Sequence, residues 1–324
     1  MDDTRFLDKL AQSFGGPGQL PGALPAAASG PDLGPAEELV TPFGPCLRLV
    51  SGHAVHLAFP APALAEGAVA QALSLLYGVG PVREEGLRAS GVRTLADLAH
   101  HPRHGAEARR WLAALAGRDL PTLYRGICRW YSASHTLLLY LLALASPQEL
   151  VFLDLESLGL SGLPTFLAGV GRLDGKGLRV HQYLARSLGE EPAILWALLT
   201  ELPARPFVVS YNGKAHDWNH LQARLAYHGL TPLPEAAHLD LLFFARRRWG
   251  RDLADCSLAQ VERAVLGLSR AVDVPSAYVP ACYQAYLRTG SVAPLVPVVA
   301  HNREDVTTLA RLLAVLLAEV AEGA

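Results

Sequence analysis

The hydrophobic pattern of the chain changes character at Pro147. Ahead of it, residues 67–146 are rich in Ala, Leu and Arg without strand-like alternation, which predicts a helical segment. Beyond it the apolar runs become short and strand-like: LVFLDLE at 150–156, FLAGVGRL at 166–173 and LRVHQYL at 178–184. Gly and Asp at 174–177 suit a tight hairpin between the last two. Helical spacing then covers 190–202, the run PFVVSY at 206–211 predicts a buried strand, and further helices are expected at 217–228, 257–266, 280–288 and about 294–321. Three strands in a meander, then strands alternating with helices, predict an α/β fold with a mixed sheet flanked by helices. Partial alternation between Thr41 and Phe59 adds one or two short strands whose partners the pattern does not name. Residues 15–37 hold a Gly/Pro/Ala-rich stretch that cannot support a packed core. The expected organisation is a linker-like start over 1–40, a smaller, mainly helical domain over 41–147, and an α/β domain over 148–324.

Composition narrows the picture only modestly. Of 324 residues, 51 % are hydrophobic, ample for a sizeable core, and 28 Lys plus Arg against 30 Asp plus Glu leave a net charge of −2. Any site for a polyanion must therefore be local. The four cysteines are dispersed, without CxxC or zinc-finger spacing, and read as reduced thiols of a cytoplasmic protein. Residues 1–10 lack the basic-then-apolar order of a secretory signal. The longest apolar run, 137–145, falls far short of the ~20 residues of a membrane span, so no membrane association is expected.

Carboxylates supply the candidate chemistry. Asp154 and Glu156 stand two apart on an apolar strand, so both point to one side of the sheet, where their charges need a cation or partner. An isolated DxE can equally be a strand end meeting solvent. The segment SYNGKAHD, 210–217, follows a buried strand and opens a helix, which sets Asn212, Lys214 and Asp217 at a strand's carboxyl end. Asn-Gly suits a sharp turn there, and Asp217 fits a helix N-cap as well as a ligand. His301 and Asp305 lie one turn apart on the long last helix. Arg246, Arg247, Arg248 and Arg251 form a basic cluster that suits either a nucleic-acid backbone or a solvated helix face.

Together, DxE on the first strand of the domain, NxxxxD after a later strand and HxxxD on the last helix resemble the three exonuclease motifs of the DEDD superfamily. FLDLESLGL (152–160), VSYNGKAHDWNHL (209–221), HLDLLFFARRRW (238–249), CSLAQVERAVLG (256–267) and HNREDV (301–306) are most similar to the YprB-like, RNase H-like branch. The resemblance implies an RNase H-like mixed sheet and a metal-dependent 3′–5′ exonuclease. Asp154, Glu156, Asp217 and Asp305 would hold two Mg²⁺ or Mn²⁺ ions, and His301 would accept a proton from the attacking water. Oxygen ligands suit such ions, and two of them stabilise both oxygens of an in-line displacement. Two departures stand out. The last motif is HxxxD where better-known branches have HxxxxD or YxxxD, leaving His216 as a second candidate base, and Ser157-Leu158 stands where a pair of threonines is usual.

Residues 75–98 resemble a helix-hairpin-helix, with Gly78 and Gly80 letting backbone N–H groups approach a phosphate. Residues 71–120 hold seven Arg and five acidic residues, which tilts the expected partner to nucleic acid, DNA favoured and RNA possible. Two other readings remain open at this level: a non-catalytic nucleic-acid-binding or scaffold protein on the same fold, and a structure-specific endonuclease or RNA-processing nuclease.

Overall fold

The computed structural model describes residues 33–159, 162–270 and 274–322. The linker expectation for residues 1–32 lies outside the described residues. Seven strands form one sheet: β1 (Ala36–Thr41), β2 (Gly44–His53), β3 (Leu150–Ser157), β4 (Thr165–Leu173), β5 (Leu178–Leu184), β6 (Phe207–Ser210) and β7 (Ala237–Asp240). Their order is β1-β2-β5-β4-β3-β6-β7. The β3-β4-β5 meander is antiparallel, and β6 and β7 then run parallel to β3. The result is a mixed α/β sheet with flanking helices, as the pattern predicts.

Two strands differ from expectation. Strand β1 begins inside the stretch whose composition reads as linker, and β2 pairs with β5 from Leu47↔Leu184 to His53↔Leu178. A ladder of backbone hydrogen bonds holds β1 despite its poor apolar content. Strand β7 has only four residues, all buried, too short to show a period.

Helices α1 (Pro62–Ala70), α2 (Pro81–Ala89), α3 (Gly105–Ala116), α4 (Leu120–Trp130) and α5 (Leu137–Leu142) occupy the segment before the meander. Where the spacing of 75–98 suggests a helix on each side of a hairpin, the chain forms a single tight turn at Leu73–Leu75, then α2, then successive turns over 94–100. The helix-hairpin-helix expectation is therefore not met: α2 is the one helix among residues 76–98. Leu73, Leu75, Leu95 and Leu98 are all buried, and Asp97 accepts hydrogen bonds from the backbone N–H groups of Arg93 and Thr94. That side-chain turn competes with helix formation.

Both faces of the sheet are covered, and β3 distributes its side chains with the period of two. Val151 and Leu153 pack with Leu195 and Leu198 of α6 (Glu191–Glu201) and Leu221 and Leu225 of α7 (Asp217–Tyr227). Leu150 and Phe152 join the other core, which runs from Leu73 and Leu123 through α8 (Leu241–Trp249) and α9 (Leu258–Val261). Beyond α10 (Val279–Thr289), the 27-residue α11 (Val296–Glu322) closes that core with Val306, Leu309 and Leu313. Asp154 and Glu156 continue the α11 face of β3. Among the described residues no helix is long and apolar enough to cross a membrane.

Candidate active site

Close approach of α11 to the sheet is what delivers Asp305 to the β3 carboxylates. Gly169 and Gly171 on β4 create the room. A Cβ at Gly171 would sit 2.8 Å from Val306 Cγ1, and one at Gly169 would run into the Asn302 side-chain amide. Asn302, fully buried, donates from Nδ2 to Asp154 Oδ2 at 2.7 Å, and its Oδ1 accepts from Gln182 Nε2 at 2.8 Å. This chain of bonds, from Gln182 on β5 through Asn302 on the last helix, fixes the Asp154 rotamer on β3.

The second motif is held differently. Asn212 takes a left-handed φ of 60°, a conformation that asparagine tolerates. Gly213 supplies space rather than φ: a Cβ there would lie 2.7 Å from Asp217 Oδ2. Asp240, at the end of β7, accepts from the backbone N–H groups of Asn212 at 2.7 Å and Lys214 at 3.2 Å. Asp217 is the first residue of α7, and the N-cap position falls to His216, whose side chain makes no capping bond. Arg224 anchors the far end of α7 through its ion pair with buried Glu191 on α6. Lys214 Nζ donates to the Tyr124 hydroxyl at 2.7 Å, and that hydroxyl donates to the His238 carbonyl at 2.7 Å, so α4 touches the loop bearing the second motif.

Asp154, Glu156, Asp217 and Asp305 thus come from β3, α7 and α11 into one cluster, in which Glu156 is buried and the other three are half-buried. Burial first, then Asp305, Glu156 and Asp217, holds the Asp154 carboxyl well above the usual range, with the Asn302 hydrogen bond opposing the shift. Burial, Asp305 and Asp217 raise Glu156 likewise, and its Oε1 has no hydrogen-bond partner among the described residues. Burial, Asp240 and Asp305 push Asp217 up to about 7. Burial also raises Asp305, against the pull of His301 and Arg270. Such a set cannot be fully ionised without cations.

One cation is already present and was invisible in the sequence. Arg270, its side chain only 6 % exposed, bonds Asp305 Oδ1 at 2.5 Å and Glu262 Oε2 at 2.7 Å. Its Nη1 also meets His301 Nδ1 at 3.1 Å, while His301 Nε2 lies 3.5 Å from Asp305 Oδ2. An arginine cannot accept a proton, so Nδ1 is the accepting nitrogen and Nε2 carries the hydrogen that faces Asp305. Both ring nitrogens of His301 are engaged.

Among the described residues, no three His, Cys, Asp or Glu side chains are arranged to hold a metal ion. Asp305 is turned to Arg270 and His301, and Asp154 to Asn302. The donor set nevertheless fits a hard divalent cation, being all oxygen, with the orphaned Glu156 Oε1 in its midst. Gly78 and Gly80 lie elsewhere, in an open cavity lined with Arg83, His101 and Arg103 and by none of the four acids. Of the basic cluster, Arg247 bonds the Ser134 carbonyl and Arg248 pairs with Glu319.

Comparison with known proteins agrees with this architecture. The RNase H superfamily model matches residues 151–317. A protein of Bacillus subtilis (strain 168), named uncharacterized protein YprB, is 36 % identical over 169 residues, which span 51 % of this chain and 41 % of that relative. The chain thus aligns with about two fifths of that relative's length.

Proposed function

Because the chain belongs to the RNase H superfamily, a membership that supports a nuclease-like function, we propose that it is a metal-dependent nuclease removing nucleotides from the 3′ end of a nucleic-acid strand. DNA is the favoured polymer and RNA the alternative. The observation that carries this reading is the convergence of Asp154, Glu156, Asp217 and Asp305, raised together above the ordinary carboxylate range by burial and one another.

In this reading the four carboxylates hold two Mg²⁺ or Mn²⁺ ions, which when bound stabilise charge on the phosphoryl oxygens. The protein's own groups do the rest. Asn302 keeps Asp154 aimed at the cluster. Asp240 holds the loop that bears Asn212 and Lys214, and Lys214 offers a cation to a phosphate when it leaves Tyr124. His301 serves as proton acceptor once Arg270 releases its Nδ1.

A second reading, a non-catalytic nucleic-acid-binding protein, draws on one observation: Arg270 already neutralises Asp305 as a fixed cation. A Mn²⁺-supplemented digest of a 5′-labelled linear oligonucleotide beside a closed single-stranded circle separates the possibilities. Stepwise loss from the linear 3′ end with an intact circle supports the exonuclease, opening of the circle supports an endonuclease, and no cleavage of either supports the binding protein.

A further inference from the structure

Exposed apolar side chains scattered singly over a protein need no explanation, but three of them here are neighbours. Tyr77 is 65 % exposed, Trp130 40 % and Val82 85 %. The rings of Tyr77 and Trp130 lie with centroids 6.1 Å apart. Val82 lines the same open cavity as Gly78, the residue after Tyr77. Tyr77 sits where α1 and its following turn give way to the hairpin, and Trp130 is the last residue of α4. Elements distant in sequence thus bring two exposed aromatic rings, tilted 55° to one another, to one place on the surface.

The surroundings of this pair are cationic. The Arg129 guanidinium lies over one face of the Trp130 ring, 5.0 Å from its centre, so the opposite face is the one offered for stacking. Arg83 donates from Nη1 to the Gly78 carbonyl at 2.6 Å, and Arg103 Nη2 lies 3.5 Å from where a Gly78 Cβ would be. Among the described residues neither Arg83 nor Arg103 has a carboxylate within ion-pair distance. Of the nearby acids, Glu107 accepts from the Tyr77 backbone N–H at 2.9 Å, and Glu84 pairs with Arg88 at 2.7 Å. Two exposed rings ringed by arginines whose charge is not neutralised locally match the chemistry of a flexible polyanion that carries flat apolar groups.

We propose that Tyr77 and Trp130 form a stacking platform for unpaired bases of a nucleic-acid single strand, with Arg83, Arg103 and Arg129 meeting its phosphates. Stacking on aromatic faces tolerates any base, and the arginines add a sequence-independent, salt-sensitive attraction. The platform is joined to the candidate active site by α4. Tyr124, whose hydroxyl receives Lys214, lies six residues before Trp130 on that helix, roughly 9 Å along its axis. A strand a few nucleotides long covers that separation. This inference deepens the nuclease reading by assigning it single-stranded ends, and it rests on nucleic acid being the partner.

Binding is measured without cleavage, by fluorescence anisotropy of labelled dT20 in EDTA with the full chain, against Tyr77→Ala, Trp130→Ala and the conservative Trp130→Phe. Each alanine variant is expected to weaken binding about tenfold, Trp130→Phe to stay near wild type, and an abasic strand of equal length, which keeps the phosphates without the bases, to bind all four proteins alike and weakly. Both side chains are exposed, and circular dichroism melts check that the variants are folded. Equal affinity of wild type and both alanine variants for dT20 overturns the platform, as does an abasic strand that binds as well as dT20 or a wild type that binds neither. If the platform behaves as expected while the wild type cleaves nothing in Mn²⁺, the platform stands and the nuclease reading alone fails.

Discussion

Asn302 donates its side-chain amide to the Asp154 carboxylate at 2.7 Å and so ties the last helix to the first strand of the meander at the point where the acids gather. Its other end accepts from Gln182 at 2.8 Å. Residues that orient a metal ligand typically influence affinity by ten- to a hundredfold. Asn302→Ala is therefore expected to weaken Mn²⁺ binding by at least about tenfold, read by isothermal titration, with the protein still folded.

Gly169 makes that contact possible, since a Cβ there would overlap the Asn302 amide. Gly169→Ala is expected to destabilise the chain by about 1–3 kcal/mol through overpacking and to lower Mn²⁺ affinity in the same direction as Asn302→Ala. Gly52, where a Cβ meets nothing within 4 Å, is the control position: Gly52→Ala changes neither quantity appreciably. Urea unfolding measures the first effect and calorimetry the second.

Asp217 adds a sensitivity to rising pH to the metal-free protein. Asp217 titrates near 7 in the folded chain, against an ordinary value of 3.8, because of burial and its neighbours Asp240 and Asp305. Between those values the folded chain keeps a proton that the unfolded chain has released, so this group's stabilisation is complete below the lower value and is lost as pH rises through about 7. The melting temperature in EDTA is expected to fall between pH 5 and pH 8, and Asp217→Asn is expected to flatten that fall by at least about 3 °C. Saturating Mn²⁺ offsets the loss at the alkaline end, because the metal takes the ionised form.

Much of this site was legible because its acids occur in local patterns with a physical meaning. Two carboxylates spaced by two on an otherwise apolar strand must share a face, and SYNGKAHD between a buried run and a helical one must turn at a strand's end. The strands of the meander were readable for the same reason. Arg270 was not: it lies in a loop without periodicity, 35 positions from the Asp305 it holds. Asn302 sat within a recognised motif, but its job depends on a glycine in another strand. Pairing of β2 with β5 likewise has no local signature, and β7 is too short to have a period. In residues 75–98 the resemblance to a helix-hairpin-helix implied a helix on each side of the hairpin, yet the buried leucines and the Asp97 turn overrode it.

Arg270 provides a test of the cluster's electrostatics. Its removal leaves Glu262, a buried carboxylate, and Asp305 uncompensated. Breaking a buried pair from one side commonly costs about 3–5 kcal/mol, so Arg270→Met is expected to destabilise the metal-free protein by roughly that amount. Adding Glu262→Gln to Arg270→Met recovers part of the loss, and a double-mutant cycle of urea denaturations gives the coupling between the two residues.

If the converging acids form a metal-dependent nuclease site, it shows first in the degradation of end-labelled DNA and RNA oligonucleotides by the wild type, Asp154→Ala and Asp305→Ala, each with Mn²⁺ and with EDTA. Terminal degradation is expected from the wild type in Mn²⁺ alone, and its loss in both variants. Degradation that persists in EDTA or in the folded variants, or no cleavage by a folded wild type that binds Mn²⁺, would contradict it.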